Sequence, residues 1–200
     1  MKNVLKKLAI LSTLFAAIVF FVGNGFAADE YKIDTAHSTF GFKVQHLMVS
    51  NVMGSFDQFE GTITLDADDL AKSVMDATIQ TTSINTHMPK RDDHLRSADF
   101  FDAANNPTIT FKSTKITKQG DQYSVTGNLM MKGVTKEITF PATISGPIKS
   151  PMGGMVIGLS ANFKLNRQDY GIFWNKALDS GGYVVSDEVA VNIEVEAHKQ

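Results

Sequence analysis

Apolar and polar side chains alternate with a period of two through most of this chain. Phe40, Phe42 and Val44 alternate with Thr39, Gly41, Lys43 and Gln45. Phe59, Gly61, Ile63 and Leu65 alternate with Glu60, Thr62, Thr64 and Asp66. The same pattern runs through Met75-Ala77-Ile79, Ile109-Phe111, Tyr123-Val125-Gly127-Leu129 and Ile138-Phe140-Ala142-Ile144. It closes with Ile157-Leu159-Ala161-Phe163-Leu165 and Val189-Val191-Ile193-Val195. Successive side chains of a strand point to opposite faces, so this spacing predicts half-buried β-strands with one apolar face each. Turn-forming residues separate them at Lys118-Gln119-Gly120-Asp121, Met131-Lys132-Gly133 and Ser150-Pro151-Met152-Gly153-Gly154. Eight such segments predict an all-β antiparallel sheet system, either an up-and-down barrel with an apolar interior or a two-sheet sandwich.

Two stretches break the alternation. Pro89 to Asp102 carries charges at helical spacing behind an initial Pro, which predicts a short helix or helical turn between two strands. Residues 1–27 have the three parts of an export signal: Lys2, Lys6 and Lys7, then the apolar run Leu8 to Val22, then Gly25-Phe26-Ala27. The apolar run falls short of the roughly 20 residues needed to cross a bilayer, so the segment reads as a cleaved signal peptide. Residues 29–200 then form a single domain, delivered to the periplasm.

Composition narrows the function classes. Without the leader the chain keeps 16 Lys and Arg against 21 Asp and Glu, a net charge of −5. That balance argues against nucleic acid or an anionic membrane surface as partner. There is no Cys, so the domain relies on burial alone. The five His stand in no recognised ligand spacing, and no metal is expected. Gly158-Leu159-Ser160-Ala161-Asn162 misses the Gly-x-Ser-x-Gly elbow and sits in a strand, so no catalytic Ser is expected. Glu194 and Glu196 fall on the wet face of the last strand. Two clusters remain: Arg91, Asp92, His94 and Arg96 in the irregular segment, and Arg167, Asp169, Trp174 and Lys176 in the last long loop. Arg and His beside aromatics suit an anionic or polar head group, and equally suit an Arg-Asp brace tying a loop to a barrel rim. The 14 Phe and 9 Met supply large, adaptable apolar surface. An eight-stranded barrel is just wide enough either to fill itself with side chains or to hold one slender ligand.

Taken in order, a further set of residues resembles the YceI-like family. It opens with Ile33-Asp34-Thr35-Ala36-His37-Ser38, Val44-Gln45-His46 and Gly54-Ser55-Phe56. It is densest at Ser83-Ile84-Asn85-Thr86, Arg91-Asp92-Asp93-His94-Leu95-Arg96-Ser97 and Phe100-Phe101-Asp102. It continues through Pro107-Thr108-Ile109-Thr110-Phe111, Gly127-Asn128-Leu129 and Lys132-Gly133-Val134-Thr135-Lys136. Asn166-Arg167-Gln168-Asp169-Tyr170-Gly171, Trp174-Asn175, Gly181-Gly182 and Asp187-Glu188-Val189 complete it. Met130-Met131 and Ser186 depart from the family's usual residues; the first bears on ligand preference, the second only on a turn.

The resemblance implies an extended eight-stranded antiparallel lipocalin-like barrel with a short helix beside it. It also implies an apolar channel for a polyisoprenoid, often a homodimer, and no reaction. The expected role is to carry or store a long-chain apolar lipid, an isoprenoid quinone or its precursor, with transient membrane contact and no cofactor beyond that lipid. Phe40, Phe42, Val44, Ile63, Leu65, Ile79, Phe111, Leu129, Phe140 and Phe163 are the expected lining. His46, Arg91, His94, Arg167 and Trp174 are the expected mouth and head-group residues. Two alternatives stay open: an enzyme acting on a lipid head group through His94 with Arg91 or Asp169, and a stress-linked binding module for fatty amides or acids.

Overall fold

The computed structural model describes residues 28–66, 69–179 and 181–200. The leader expected at residues 1–27 therefore lies outside the described residues. Eleven strands form one antiparallel sheet: β1 (Asp29–Ile33), β2 (Thr39–His46), β3 (Ser50–Phe56), β4 (Phe59–Leu65), β5 (Val74–Gln80) and β6 (Ile84–Asn85), then β7 (Thr108–Gln119), β8 (Gln122–Met131), β9 (Val134–Lys149), β10 (Met155–Asn166) and β11 (Val185–Lys199). The sheet closes on itself in the order β1-β4-β5-β7-β8-β9-β10-β11, because β1 also pairs with β11. This is the eight-stranded barrel that alternation and resemblance predicted. Each of the eight alternating segments lies in one strand, and closure removes the free sheet edges.

The three strands that alternation missed are continuations of neighbours. β11 is long enough to hold two partners along one edge. Val189–Glu194 pairs with β2, and Ala197–Lys199 pairs with β1. β1 and β2 thus run as one bent ribbon interrupted at residues 34–38, and β3 and β4 follow them as a second ribbon, broken at residues 57–58. β6 adds two residue pairs to β3. Ser50–Phe56 escaped notice because Asn51, Gly54 and Ser55 are turn-type residues, although Val52 and Phe56 share a parity.

The hairpins follow their turn chemistry. Lys132 (φ 48°) and Gly133 (φ 74°) both adopt the left-handed region between β8 and β9, which suits the right-handed twist of the flanking strands. The helix is shorter than the irregular segment that contains it. α1 spans Pro89–Arg96, with Pro89 in the first turn, where its missing N–H costs nothing. It stops at Ser97, whose backbone is extended and whose Oγ donates to the His94 carbonyl at 2.7 Å. Residues 97–106 continue as turns held by Asp102, whose backbone N–H donates to Ser97 O and whose side chain accepts from Asn105 and Asn106.

The interior is filled unevenly. Where β1 zips to β4 and β11, Tyr31, Ile33, Ile63, Met75, Ile116, Val125, Ile157, Val195 and Ala197 pack into a continuous core. Toward the opposite end, around Ile109, Leu129 and Tyr170, the neighbouring apolar residues are only partly buried. No helix among the described residues is long and apolar enough to cross a membrane.

Candidate functional site

The half-filled end of the barrel encloses a cavity of about 330 Å³, within the range usual for small-molecule sites. Its walls come from β2, β3, β5, β7, β8, β9, β10 and β11. The mouth comes from α1, the turns after it and the loop between β10 and β11. Eight of the ten expected lining residues line it: Phe40, Phe42, Val44, Ile79, Phe111, Leu129, Phe140 and Phe163. Several keep partial exposure although they face inward, as expected where a wall borders space rather than another side chain. Phe140 and Phe163 stack at 4.5 Å between ring centroids, and Phe111 tilts against Phe140 at 5.4 Å, so one flank is a continuous aromatic surface.

Ile63 and Leu65 are corrections. They share the inward parity of β4, but β4 lies beside β1 at the packed end. Ile63 is 3% exposed within that core and Leu65 packs against it. Parity reports the face of a strand, whereas the height at which side chains stop filling the barrel depends on the partners across it. Gly54 and Gly127 do not enlarge the cavity either. A Cβ on Gly127 would meet the Phe111 ring at 2.6 Å, and one on Gly54 would meet the Phe42 ring at 2.4 Å. Each absent side chain is already replaced by a phenyl ring.

All five expected mouth residues border the cavity, but they are engaged differently. Arg167 is 5% exposed, and all three of its guanidinium nitrogens donate. Its Nε donates to Ser186 O (2.9 Å), its Nη1 to Ile172 O (2.7 Å) and Trp174 O (2.8 Å), and its Nη2 to Asp187 Oδ1 (3.0 Å). Burial lowers its pKa, while Asp187 acts in the opposite direction. Arg167 therefore ties the β10–β11 loop to the start of β11. There the pairing with β2 skips from Val185 to Val189 in a bulge. Ser186 lies in that bulge, where its Oγ accepts from Gln45 N at 3.2 Å and donates to Glu188 O at 2.7 Å. Its hydroxyl thus fastens β11 to β2, a larger role than the turn adjustment expected of it.

Arg91 is held from one side only. Nε donates to Thr86 Oγ1 (2.7 Å) and Nη2 to Thr86 O (2.8 Å). Thr86 is in turn fixed by the buried Asp92, which accepts from both its N–H and its hydroxyl. Arg91 makes no ion pair among the described residues. An orienting scaffold thus leaves a cation at the cavity mouth without a carboxylate partner. His94 bonds Asp99 at 2.9 Å and stands edge-on to Phe100 (5.0 Å) and Trp174 (5.1 Å), forming an aromatic corner of the mouth. His46 is half-buried on β2. Arg96 braces Thr82 O, Ile84 O and Asp93. Asp169, the acid-base partner considered for a head-group enzyme, pairs with Lys136 at 3.0 Å and is not among the residues that line the cavity.

Tyr170 was not anticipated. It is 1% exposed in the cavity wall, and its hydroxyl has no hydrogen-bond partner among the described residues. Burial, with a smaller contribution from Asp169, pushes its pKa up to about 12, so it stays a neutral donor. The mouth also carries exposed apolar side chains, notably Val49 (83%) and Phe173 (66%), with Leu47, Met48, Met88 and Tyr183. Leu47 N donates to Val184 O, and Met48 packs on Gly182, which places the β2–β3 turn beside the β10–β11 loop. Alternation carries no signal for such loop residues.

Comparison with known proteins places this geometry in a family. Residues 31–197 match the YceI-like domain. The chain is 40% identical over 196 residues to a YceI protein of Escherichia coli, covering 97% of this chain and 99% of that one. The crystal structure of a YceI protein of Campylobacter jejuni superposes with a TM-score of 0.67 at 35% identity, covering 78% of this chain and 90% of that one. A polyisoprenoid-binding domain from Saccharophagus degradans shares the fold, with a TM-score of 0.66 at 17% identity, covering 85% of this chain and 98% of that one.

Proposed function

Because this chain belongs to the YceI-like family, we propose that it carries or stores one long-chain apolar lipid, a polyisoprenoid such as an isoprenoid quinone or its precursor. The observation that carries the reading is the cavity itself, enclosed by phenyl rings and branched aliphatic side chains and opening at a mouth where the Arg91 guanidinium makes no ion pair among the described residues. A prenyl chain exposes several hundred Å² of apolar surface in water, and roughly 25 cal/mol per Å² is recovered on burial. Sequestration of this kind needs no chemistry, so the protein acts as a binder, with the bound lipid its only small-molecule partner. The polyisoprenoid-binding neighbour supports the ligand class.

The tail occupies the wall of Phe42, Phe111, Phe140 and Phe163, and the polar head stays at Arg91, His94 and Trp174. The exposed collar of Val49, Met88 and Phe173 touches a membrane surface during loading and release. Export through cleavage near Ala27 places the protein in the periplasm, where a prenyl lipid needs a carrier. The test is native mass spectrometry of protein purified from its own host, with analysis of the extracted lipid. One isoprenoid per chain is expected. Val44→Trp, which fills the cavity with an indole, is expected to abolish the adduct while the barrel still folds. Ligand-free spectra from every preparation overturn the reading.

A further inference from the structure

The barrel seam gathers a second set of polar side chains, at the packed end and away from the cavity. The β1–β11 register sets Lys32 opposite His198 and Ile33 opposite Ala197, which brings residues 34–38 against Glu196 and His198. Four donor atoms meet there. His37 Nδ1 lies 2.8 Å from Asp34 Oδ2 and 4.0 Å from Glu196 Oε1. His198 Nε2 lies 3.4 Å from Asp34 Oδ2 and 3.0 Å from Glu196 Oε1. Asp34, Glu196 and His198 each offer a ligand atom within 4.8 Å of the others.

We propose that Asp34, Glu196 and His198, with His37 drawn in as the fourth ligand, form a divalent transition-metal site of the Zn²⁺ class that clasps the first strand of the barrel to the last. Ligands at about 2.0–2.2 Å from a tetrahedral Zn²⁺ stand about 3.4 Å apart; the carboxylate–imidazole separations above straddle that value, while His37 lies outside the mutually close set of three and must swing toward the ion. The carboxylates are hard donors that many cations accept, but the imidazole nitrogens are borderline donors, which favours Zn²⁺ over Mg²⁺ or Ca²⁺. The scaffold is fixed before any ion arrives. Asp34 Oδ1 accepts from Ala36 N at 2.8 Å, so the carboxylate keeps its other oxygen turned to the two imidazoles. The Glu196 backbone is clamped on both sides, with its O accepting from Asp34 N (2.8 Å) and its N donating to Ser38 Oγ (3.0 Å). Outer contacts of this kind orient metal ligands. No sequence spacing reveals the set, because its halves lie about 160 residues apart and meet only through the closing register.

Binding at this point favours the closed barrel over the unfolded chain, so the ion raises thermal stability by mass action. The experiment titrates chelator-treated protein with Co²⁺, whose visible band is intense in tetrahedral and weak in octahedral coordination. Thermal unfolding is then compared in Zn²⁺ and in chelator. Expected are an intense band saturating at one Co²⁺ per chain and a Tm several degrees higher in Zn²⁺. His37→Ala and His198→Ala should each weaken Co²⁺ affinity at least tenfold and abolish the Tm rise. Both sites of substitution are at least partly exposed, so the variants fold. A weak, non-saturating spectrum, or affinity unchanged in both variants, overturns the proposal and leaves the cluster an ion-pair network.

Discussion

Replacing Arg167 with Met separates a brace from a head-group ligand. The guanidinium makes four hydrogen bonds, three of them to backbone carbonyls of the β10–β11 loop and the β11 bulge. Met fills much of the volume but satisfies none of them. A buried carbonyl left unsatisfied costs about 1–3 kcal/mol, and water reaching this partly open loop lowers the sum. Asp187 is 46% exposed, so its ion pair adds only about 0–1 kcal/mol. The expected loss is about 3–5 kcal/mol, in line with removal of one partner from a buried charged network. For a domain of this size that lowers Tm by about 6–20 °C. Arg167→Lys should recover less than half, because an ammonium cannot span acceptors arranged around a planar fork. The assay is thermal and urea unfolding of delipidated protein, with lipid occupancy measured well below Tm. A destabilisation under about 1 kcal/mol accompanied by loss of lipid would refute the argument and make Arg167 a ligand contact.

Tyr170→Phe removes a buried hydroxyl that has no partner among the described residues, so the delipidated variant should gain about 1 kcal/mol and melt about 2–4 °C higher; a lower Tm would mean that the hydroxyl is satisfied in solution. The seam should show a defined pH window in metal-free buffer. The hydrogen bond to Asp34 raises the His37 pKa above its usual 6.5, so its contribution is complete below 6.5 and fades as pH rises through the raised value. Hydrogen bonds from His37, then from Ala36 N, lower the Asp34 pKa below its usual 3.8, so its contribution is complete above 3.8 and fades as pH falls through the lowered value. His37→Ala should therefore reduce stability most between pH 3.8 and 6.5 and converge with the wild type in alkaline buffer; a constant difference across pH would count against the pairing. Val49→Asp with Phe173→Asp should slow extraction of a prenyl lipid from vesicles while leaving its affinity in detergent unchanged; unaltered extraction would remove the collar from the loading step.

Much of the barrel was legible because alternation is a local property. A residue's parity along its strand already says which side of a closed sheet it occupies; seven of the eight segments are strands of the ring, and the eighth, β2, continues β1 along the same edge of β11. The resemblance supplied the choice of barrel over sandwich. The missed strands β1, β3 and β6 are short or rich in turn-type residues; β1 is held by β11, which offers one edge to both β1 and β2, and β6 is held only by β3. Most of the expected lining followed from parity for the same reason, and Ile63 and Leu65 failed for a reason parity cannot contain. Whether an inward side chain meets space or another side chain depends on every strand across the barrel.

The polar residues divide similarly. Sequence put Arg91 and His94 in the irregular segment and Arg167 and Trp174 in the last long loop, and named all four, with His46, as mouth residues. Only the tertiary structure showed that Arg167 spends all three guanidinium nitrogens on the β10–β11 loop and the start of β11 while Arg91 keeps part of its guanidinium free. That distinction rests on where carbonyls of other segments come to lie. The seam cluster is the extreme case. Asp34 and His37 at one end of the chain and Glu196 and His198 at the other carry no shared pattern, and only the register that closes the barrel brings them together. Face and periodicity are thus written in neighbouring residues. Fill, satisfaction and juxtaposition depend on atoms distant in sequence, and they exist only once the chain has folded.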